Sequence, residues 1–525
     1  MINYSFPSLG QTIRFAIDVL GVLPRKRGDI KSLDETAKKR IQKKLQRLAN
    51  EEGRLEENVS EIIAEVSEII GSAVRCDEIR FAIYETLWDV YEVYNSTIKS
   101  EGTFLSEKET IEWFCINYAI PRLALSVPKH MLRTNMAGLG FIYPSDEDWY
   151  LPSVENGCIS WPLAKVMRWI YELLDIELER FHYSNRAEDA NHSEQEQNIE
   201  NARKWVKGSH MPSWGGLHWT FSRAFEDLAV CETESHRREL PIAFRDNLYC
   251  ILFIARFSTD LCKRIEKLYG VAFLEQCIER YQKERKWLES EVQMNRDMVE
   301  DVLESDQGLR SQQDAIWHQI SDIYWRTLAD RMFGCGVKIQ EILEGGGGVK
   351  AVRAAEGRLI QQFGEYPVRA CMSYLEDRYR NKIPDGFVEA FDRALTLKSS
   401  VLTDLDVDDY EADLKKQDLE EQLKWVGPWL RAVSRCKGED YEGAMEFAEI
   451  AFNHAKYSAG GKQYDLINLY VELAAKNEDM RRFKKGVDWA RFVGVKIRWL
   501  RDLEPTEENI RFAFDMLRTG NYVQF

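Results

Sequence analysis

Gly438-Glu439-Asp440-Tyr441-Glu442-Gly443-Ala444-Met445-Glu446-Phe447-Ala448-Glu449-Ile450-Ala451 is the stretch whose reading decides the fold. Tyr441, Ala444, Ala448 and Ala451 are spaced so that they fall on one face of an α-helix. Alanines on such a face let a neighbouring helix approach closely, and the aromatic ring fills the gap between successive helix pairs. Forty-two residues further on, Phe483, Gly486, Ala490 and Val493 repeat the spacing. An aromatic followed by small residues, met twice, predicts an internal repeat of helix pairs.

Outward from this stretch the same helical reading holds. The 525 residues include only 13 prolines, about half the usual share of ~5%, so turn chemistry for many short strands is scarce. The hydrophobic fraction of 44% and charged fraction of 30% are those of a globular protein. The 15 Trp, 22 Tyr and 24 Phe predict helix packing through large rings. We therefore expect an all-α, multi-helical protein, a helical bundle in the N-terminal half and an α-solenoid in the C-terminal half.

Four regions follow from punctuation along the chain. Residues 1–134 form an N-terminal helical region. It opens on the capping box Ser32-Leu33-Asp34-Glu35 and a basic helix carrying Lys38, Lys39, Arg40, Lys43, Lys44 and Arg47. After Gly53, the stripe Val59, Ile62, Ile63, Val66, Ile69 and Ile70 completes a helical hairpin. Residues 135–240 are loop-rich, with glycine and proline between Gly138 and Pro162 expected to form an ordered connection. A helix is predicted from Pro162 to near Phe181, with Val166, Trp169, Ile170, Leu173 and Leu174 on its apolar face. The polar stretch Ser184 to Gln197 is expected to be a linker. Residues 241–344 read as long helices, where Glu279 with Lys283 and Arg280 with Glu284 predict an exposed face. Gly345-Gly346-Gly347-Gly348 marks a hinge or boundary before the region 349–525.

The residues Tyr441, Ala444, Ala448, Ala451, Phe483, Gly486 and Ala490 resemble the second helices of tetratricopeptide repeats, over about 423–495. The period is longer than the ~34 residues of that family. The resemblance implies helix pairs stacked into a concave surface for a protein or peptide partner.

A second resemblance is local. Trp205-Val206-Lys207-Gly208-Ser209-His210-Met211-Pro212-Ser213, followed by Leu217, looks like the end of a recognition helix and the following turn in repressor-type helix-turn-helix domains. It implies that Arg203, Lys204, Lys207 and His210 meet phosphates or bases, with residues 199–225 as the binding element. Upstream, Asn191 to Glu196 cannot form the core that such a motif needs. The net charge of −16 also opposes DNA as a partner.

Other motifs fall away on their chemistry. Asp404-x-Asp406-x-Asp408 begins like a calcium loop, but Asp409 stands at the required glycine and Lys415 at the final ligand, so an acidic helix start is expected. Gly460-Gly461-Lys462 lacks the leading glycine and the following Ser or Thr of a phosphate loop. Tetraglycine followed by Lys350 and Arg353 is a hinge more readily than an anion site. Ten cysteines without a CxxC pair indicate neither a zinc site nor a disulfide framework, and the eight histidines have no paired spacing. No catalytic residue, metal ligand or cofactor is nominated.

The apolar stretch from Ile13 to Leu23 contains Arg14 and Asp18 and precedes the cluster Arg25-Lys26-Arg27, the wrong order for a secretion signal. The longest apolar run elsewhere, Leu248 to Ala255, is far short of the ~20 residues of a membrane helix. The expectation is a cytoplasmic, non-enzymatic interaction or regulatory protein, with no membrane association and with homo-oligomerisation open. A DNA-binding regulator and an enzyme with a helical active site are the alternatives.

Overall fold

The computed structural model describes residues 6–20, 35–74, 77–126, 142–146, 148–155, 158–182, 192–228, 240–305, 312–378, 381–500, 503–520 and 523. Helices dominate it, and the chain is all-α and multi-helical. The N-terminal part holds α1 (Leu9–Leu20), α2 (Glu35–Ala49), α3 (Leu55–Val74), α4 (Asp77–Ser100) and α5 (Glu107–Phe114). Gly53, at φ +73°, lies in the turn between α2 and α3. The stripe read from the sequence closes the hairpin, since Val59, Ile62, Ile63, Val66 and Ile70 are all buried. Ser106 and Glu109 cap α5 reciprocally, and a π-helical turn, Cys115–Ala119, continues it. The capping box expected at Ser32 lies outside the described residues.

The middle of the chain departs from the sequence reading in several places. Two short strands, β1 (Ser153–Glu155) and β2 (Cys158–Ser160), pair antiparallel within the stretch expected to be a plain connection. Pro162 opens α6 (Pro162–Leu174) as expected, but the helix stops at Asp175, whose φ of +52° ends the turn. The Asp175 N–H reaches Glu172 O at 3.1 Å and the Ile176 N–H reaches Tyr171 O at 3.0 Å, a paired stop that leaves Phe181 to a separate turn, α7 (Leu178–His182). The buried face of α6 is Leu163, Val166, Met167 and Ile170, while Leu173 is exposed.

Helix α8 (His192–Val206) begins inside the polar stretch expected to be a linker. Glu and Gln are good helix formers, and Ala202 and Trp205 bury its C-terminal end. After it come α9 (Trp214–Leu228), α10 (Ile242–Tyr269) and α11 (Val271–Ser305). Leu248 to Phe253 are buried on every side, as in a helix enclosed by its neighbours. Gly270, at φ +92°, separates α10 from α11. Glu279 and Lys283 are exposed as read, but Arg280 and Glu284 are not. Their 2.7 Å ion pair is buried, with Glu284 wholly shielded and Arg280 also donating to Ser373. Four-residue spacing brings charges together on a helix whether its face is wet or covered.

Tetraglycine does not divide two units. It joins α12 (Gln313–Ile342) to α13 (Gly348–Phe363) through a π-helical turn in which Gly346 has φ +81°. Cys335 and Ile339 on one side pack with Val352, Ala355 and Leu359 on the other, and with Val368 and Met372 of α14 (Glu365–Arg378).

The C-terminal part is α15 (Phe387–Ser399), α16 (Asp404–Lys416), α17 (Val426–Lys437), α18 (Tyr441–Ala455), α19 (Tyr464–Lys476), α20 (Met480–Phe492) and α21 (Glu507–Thr519). Thr403 and Asp406 form a capping box, so the acidic run is a helix start. Tyr441 and Phe483 both lie on the second helix of a pair, α17 with α18 and α19 with α20. The turns fix the register of the two pairs. Glu439 and Glu478 have φ +59° and +57°, and the Asp440 and Asp479 side chains accept from Gly443 N–H and Arg482 N–H. Asp440 thus matches Asp479, an offset of 39 residues rather than 42. A slip of three residues keeps the same helical face, which is why spacing alone cannot detect it. Helix α19 lies among α18, α20 and α21, with Leu466 through Ala475 continuously buried.

The ends of the chain share one core, which takes side chains from Phe6 to Tyr281 and again from Phe387 to Val523. At the seam, buried Lys456 pairs with Glu51, and the Tyr457 hydroxyl donates to the same carboxylate at 2.8 Å. Burial lowers the Lys456 ammonium to about 8, against the pull of Glu51.

Candidate functional site

Where the N-terminal and C-terminal parts meet, five stretches far apart in sequence line a cavity of about 550 Å³ that is half open to solvent. Its floor depends on a close backbone approach. The Thr103 N–H donates to Ser458 O at 3.1 Å, and Gly460, at φ +52°, lies so near that a Cβ there would come within 2.6 Å of the Glu101 carbonyl carbon. Asn381, 8% exposed, clamps the same loop from the other side. Its Nδ2 donates to Gly102 O and its Oδ1 accepts from Phe104 N–H, both at 3.0 Å.

The clamp aims Phe104 into a row of rings. Phe104 meets Phe387 edge-on at 4.8 Å, Phe387 stacks on Phe391 at 6.5 Å, and Phe391 leans on Trp425 at 5.9 Å. Phe104, Phe387 and Trp425 line one wall, and Leu343, Val349, Leu375 and Ile383 supply aliphatic surface. Leu343 and Val349 flank the tetraglycine, so the hairpin tip between α12 and α13 is part of the wall. Ile383 is 57% exposed. Lys462 carries its ammonium 4.2 Å from the Phe391 ring centroid, which holds a cation beside the apolar surface. Gln422 lines the cavity and its Oε1 is buried without a donor.

The described lining contains no histidine or cysteine. Beside the rings and aliphatic side chains the lining holds the amides of Asn381 and Gln422, Lys382, Lys462 and Glu101, which suits the uptake of an apolar group with a polar neighbour. Among the described residues no group of three or more metal-ligating side chains is found, and no helix is long and apolar enough to cross a membrane.

The residues singled out from sequence lie elsewhere. Ala444, Ala448, Ala451, Phe483, Gly486 and Ala490 are buried in the packing of α18 to α21, with Tyr441 half-buried at the start of α18. A Cβ at Gly486 would meet Val471 Cγ2 at 2.7 Å and Tyr470 Cδ1 at 2.9 Å, so this glycine sets the approach of α20 to α19. Arg203, Lys204, Lys207 and His210 are exposed. Arg203 is paired with Glu179 at 2.8 Å and Lys204 with Glu200 at 2.7 Å, which matches these cations with carboxylates. Trp205 is buried, and Gly208, at φ +68°, abuts the Trp161 ring.

Sequence reasoning passed over the cavity because its wall is shared out among loops and helix ends. Gly460-Gly461-Lys462 and the tetraglycine were legible as turns, but nothing local says that the two turns face one space. Compared with family models, curated proteins and solved structures, the chain matches none.

Proposed function

We propose that the chain is a non-enzymatic interaction protein that takes an apolar segment of a protein or peptide partner into the cavity between its two ends. The C-terminal helix pairs, tetratricopeptide-like in their small-residue packing, act as the scaffold. The observation that carries the reading is the cavity of about 550 Å³, walled by Phe104, Phe387 and Trp425, with half-exposed Ile383 at its side. Binding energy in interfaces concentrates where an aromatic or aliphatic anchor fills such a pocket. Lys462 beside the rings favours a carboxylate or backbone carbonyl next to the anchor. A cytoplasmic location goes with this reading, because Cys115, Cys158, Cys250, Cys262, Cys277, Cys335, Cys371 and Cys436 are free thiols. The DNA-binding alternative draws less support, since Arg203 and Lys204 are matched by carboxylates.

Random peptides displayed on phage and selected on the full chain test this. Enriched peptides are expected to share an aromatic or large aliphatic residue. Their affinity is expected to fall about tenfold or more, ~1.4 kcal/mol, in Val349→Trp and in Ile383→Asp, with Lys207→Ala unchanged. Enriched peptides indifferent to both cavity substitutions, or no enrichment, would overturn the reading.

A further inference from the structure

Outside the cavity, two thiols meet between α12 and α14. Cys335 is fully buried in the small core that joins α12, α13 and α14, and Cys371 is partly exposed on the facing helix. The Cys371 Sγ lies 3.9 Å from the carbonyl oxygen of Met332, three residues before Cys335. In an α-helix that oxygen sits beside the Cβ of the residue three further on, so the Cys371 sulfur is against the Cys335 side chain. Cys371 packs against the same small core that holds Cys335. The Cys371 neighbour, and then burial, hold the Cys335 proton in place, while the Cys335 neighbour favours ionisation of Cys371 against its own burial.

We propose that Cys335 and Cys371 form a reversible disulfide on exposure to a hydroperoxide, making the α12–α14 contact an oxidation site of the folded protein. The Cys371 thiolate attacks the peroxide oxygen, the O–O bond breaks, and a sulfenic acid forms while the departing hydroxide becomes water by taking the Cys371 proton. The Cys335 sulfur then attacks the Cys371 sulfur. The S–O bond breaks, and the hydroxyl leaves as a second water with the Cys335 proton. Two thiols and one hydrogen peroxide thus give one disulfide and two waters. Adjacent helices make this exchange a matter of side-chain rotation rather than of unfolding. Leu343, just beyond α12, and Leu375, on α14, both line the cavity, so the bond ties together two parts of its wall.

The full chain is treated with hydrogen peroxide, the remaining thiols are blocked, and the protein is digested with trypsin without reduction. Cleavage after Arg331, Lys338, Arg369 and Arg378 gives one peptide with Cys335 alone and one with Cys371 alone. The expected product is these two peptides joined, two hydrogen atoms lighter than their sum, and separated again by dithiothreitol. It is expected to disappear in Cys371→Ser and in Cys335→Ala, with Cys371 stopping at the sulfenic or higher acid in the second. Unlinked Cys371 found as sulfinic acid in the wild type, linkage of either cysteine to a different one, or both thiols unchanged would each overturn the proposal. Circular dichroism of the untreated variants checks that the fold is intact, and a linked product in Cys436→Ser, a substitution away from α12 and α14, is the positive control.

Discussion

His182 is 5% exposed, and its Nε2 lies 2.8 Å from the Tyr171 hydroxyl. Burial pushes the imidazole down to about 3, against a small upward pull from Glu179. Between about 6.5 and about 3 the unfolded chain takes up a proton that the folded chain refuses. The contribution of this group is therefore intact above about 6.5 and is lost as the pH falls through that window. Between about pH 7 and about pH 4.5 wild type is expected to lose ~2.5 kcal/mol of unfolding free energy relative to His182→Gln, measured by urea denaturation. A difference independent of pH would contradict the assigned burial. Nothing in the sequence around His182 marks it as buried. The same holds for Arg280 and Glu284, whose spacing suits a wet surface and a covered one equally. Periodic small residues are different: Ala444, Ala448 and Ala451 are legible because only a close helix neighbour gives that spacing a use.

At the scale of elements, glycines separate close packing from open surface. Gly486 meets Val471 and Tyr470 where α20 crosses α19, whereas Gly357, exposed in the interior of α13, has nothing within 4 Å of an added Cβ. Gly486→Ala is expected to destabilise the protein by about 1–3 kcal/mol, because two buried side chains must move. Gly357→Ala is expected to stabilise it by about 0.5–1 kcal/mol through lower backbone entropy in the unfolded chain. Chemical denaturation of both variants checks the pair, and two effects of the same sign would contradict the packing described for α19 and α20. Helix existence was legible where apolar residues recur at helical spacing, as over Val59 to Ile70, but not in the polar stretch where α8 begins. Helix ends were less legible, since the stop at Asp175 rests on a non-glycine residue in the left-handed region. The aromatic and small-residue spacing pairs Tyr441 with Phe483, whereas the two N-caps Asp440 and Asp479 lie 39 residues apart, a difference of one helical turn that spacing alone does not resolve.

At the scale of the molecule, the all-α class was written in composition, but the division into regions was not. Tetraglycine looks like a boundary because four glycines break a helix, yet Cys335, Ile339, Val352 and Leu359 close a core across it. The two ends of the chain share a core through contacts such as Lys456 with Glu51, 405 residues apart, which no local pattern records. The cavity belongs to this scale, since Phe104, Asn381, Trp425 and Lys462 come together only through that closure. Hydrogen exchange of the full chain, with and without a saturating selected peptide, tests the central claim most directly. Slowed exchange is expected at 100–104, 343–349, 381–387 and 458–462 together. Protection confined to 192–228, or spread evenly over the chain, would contradict binding in the cavity.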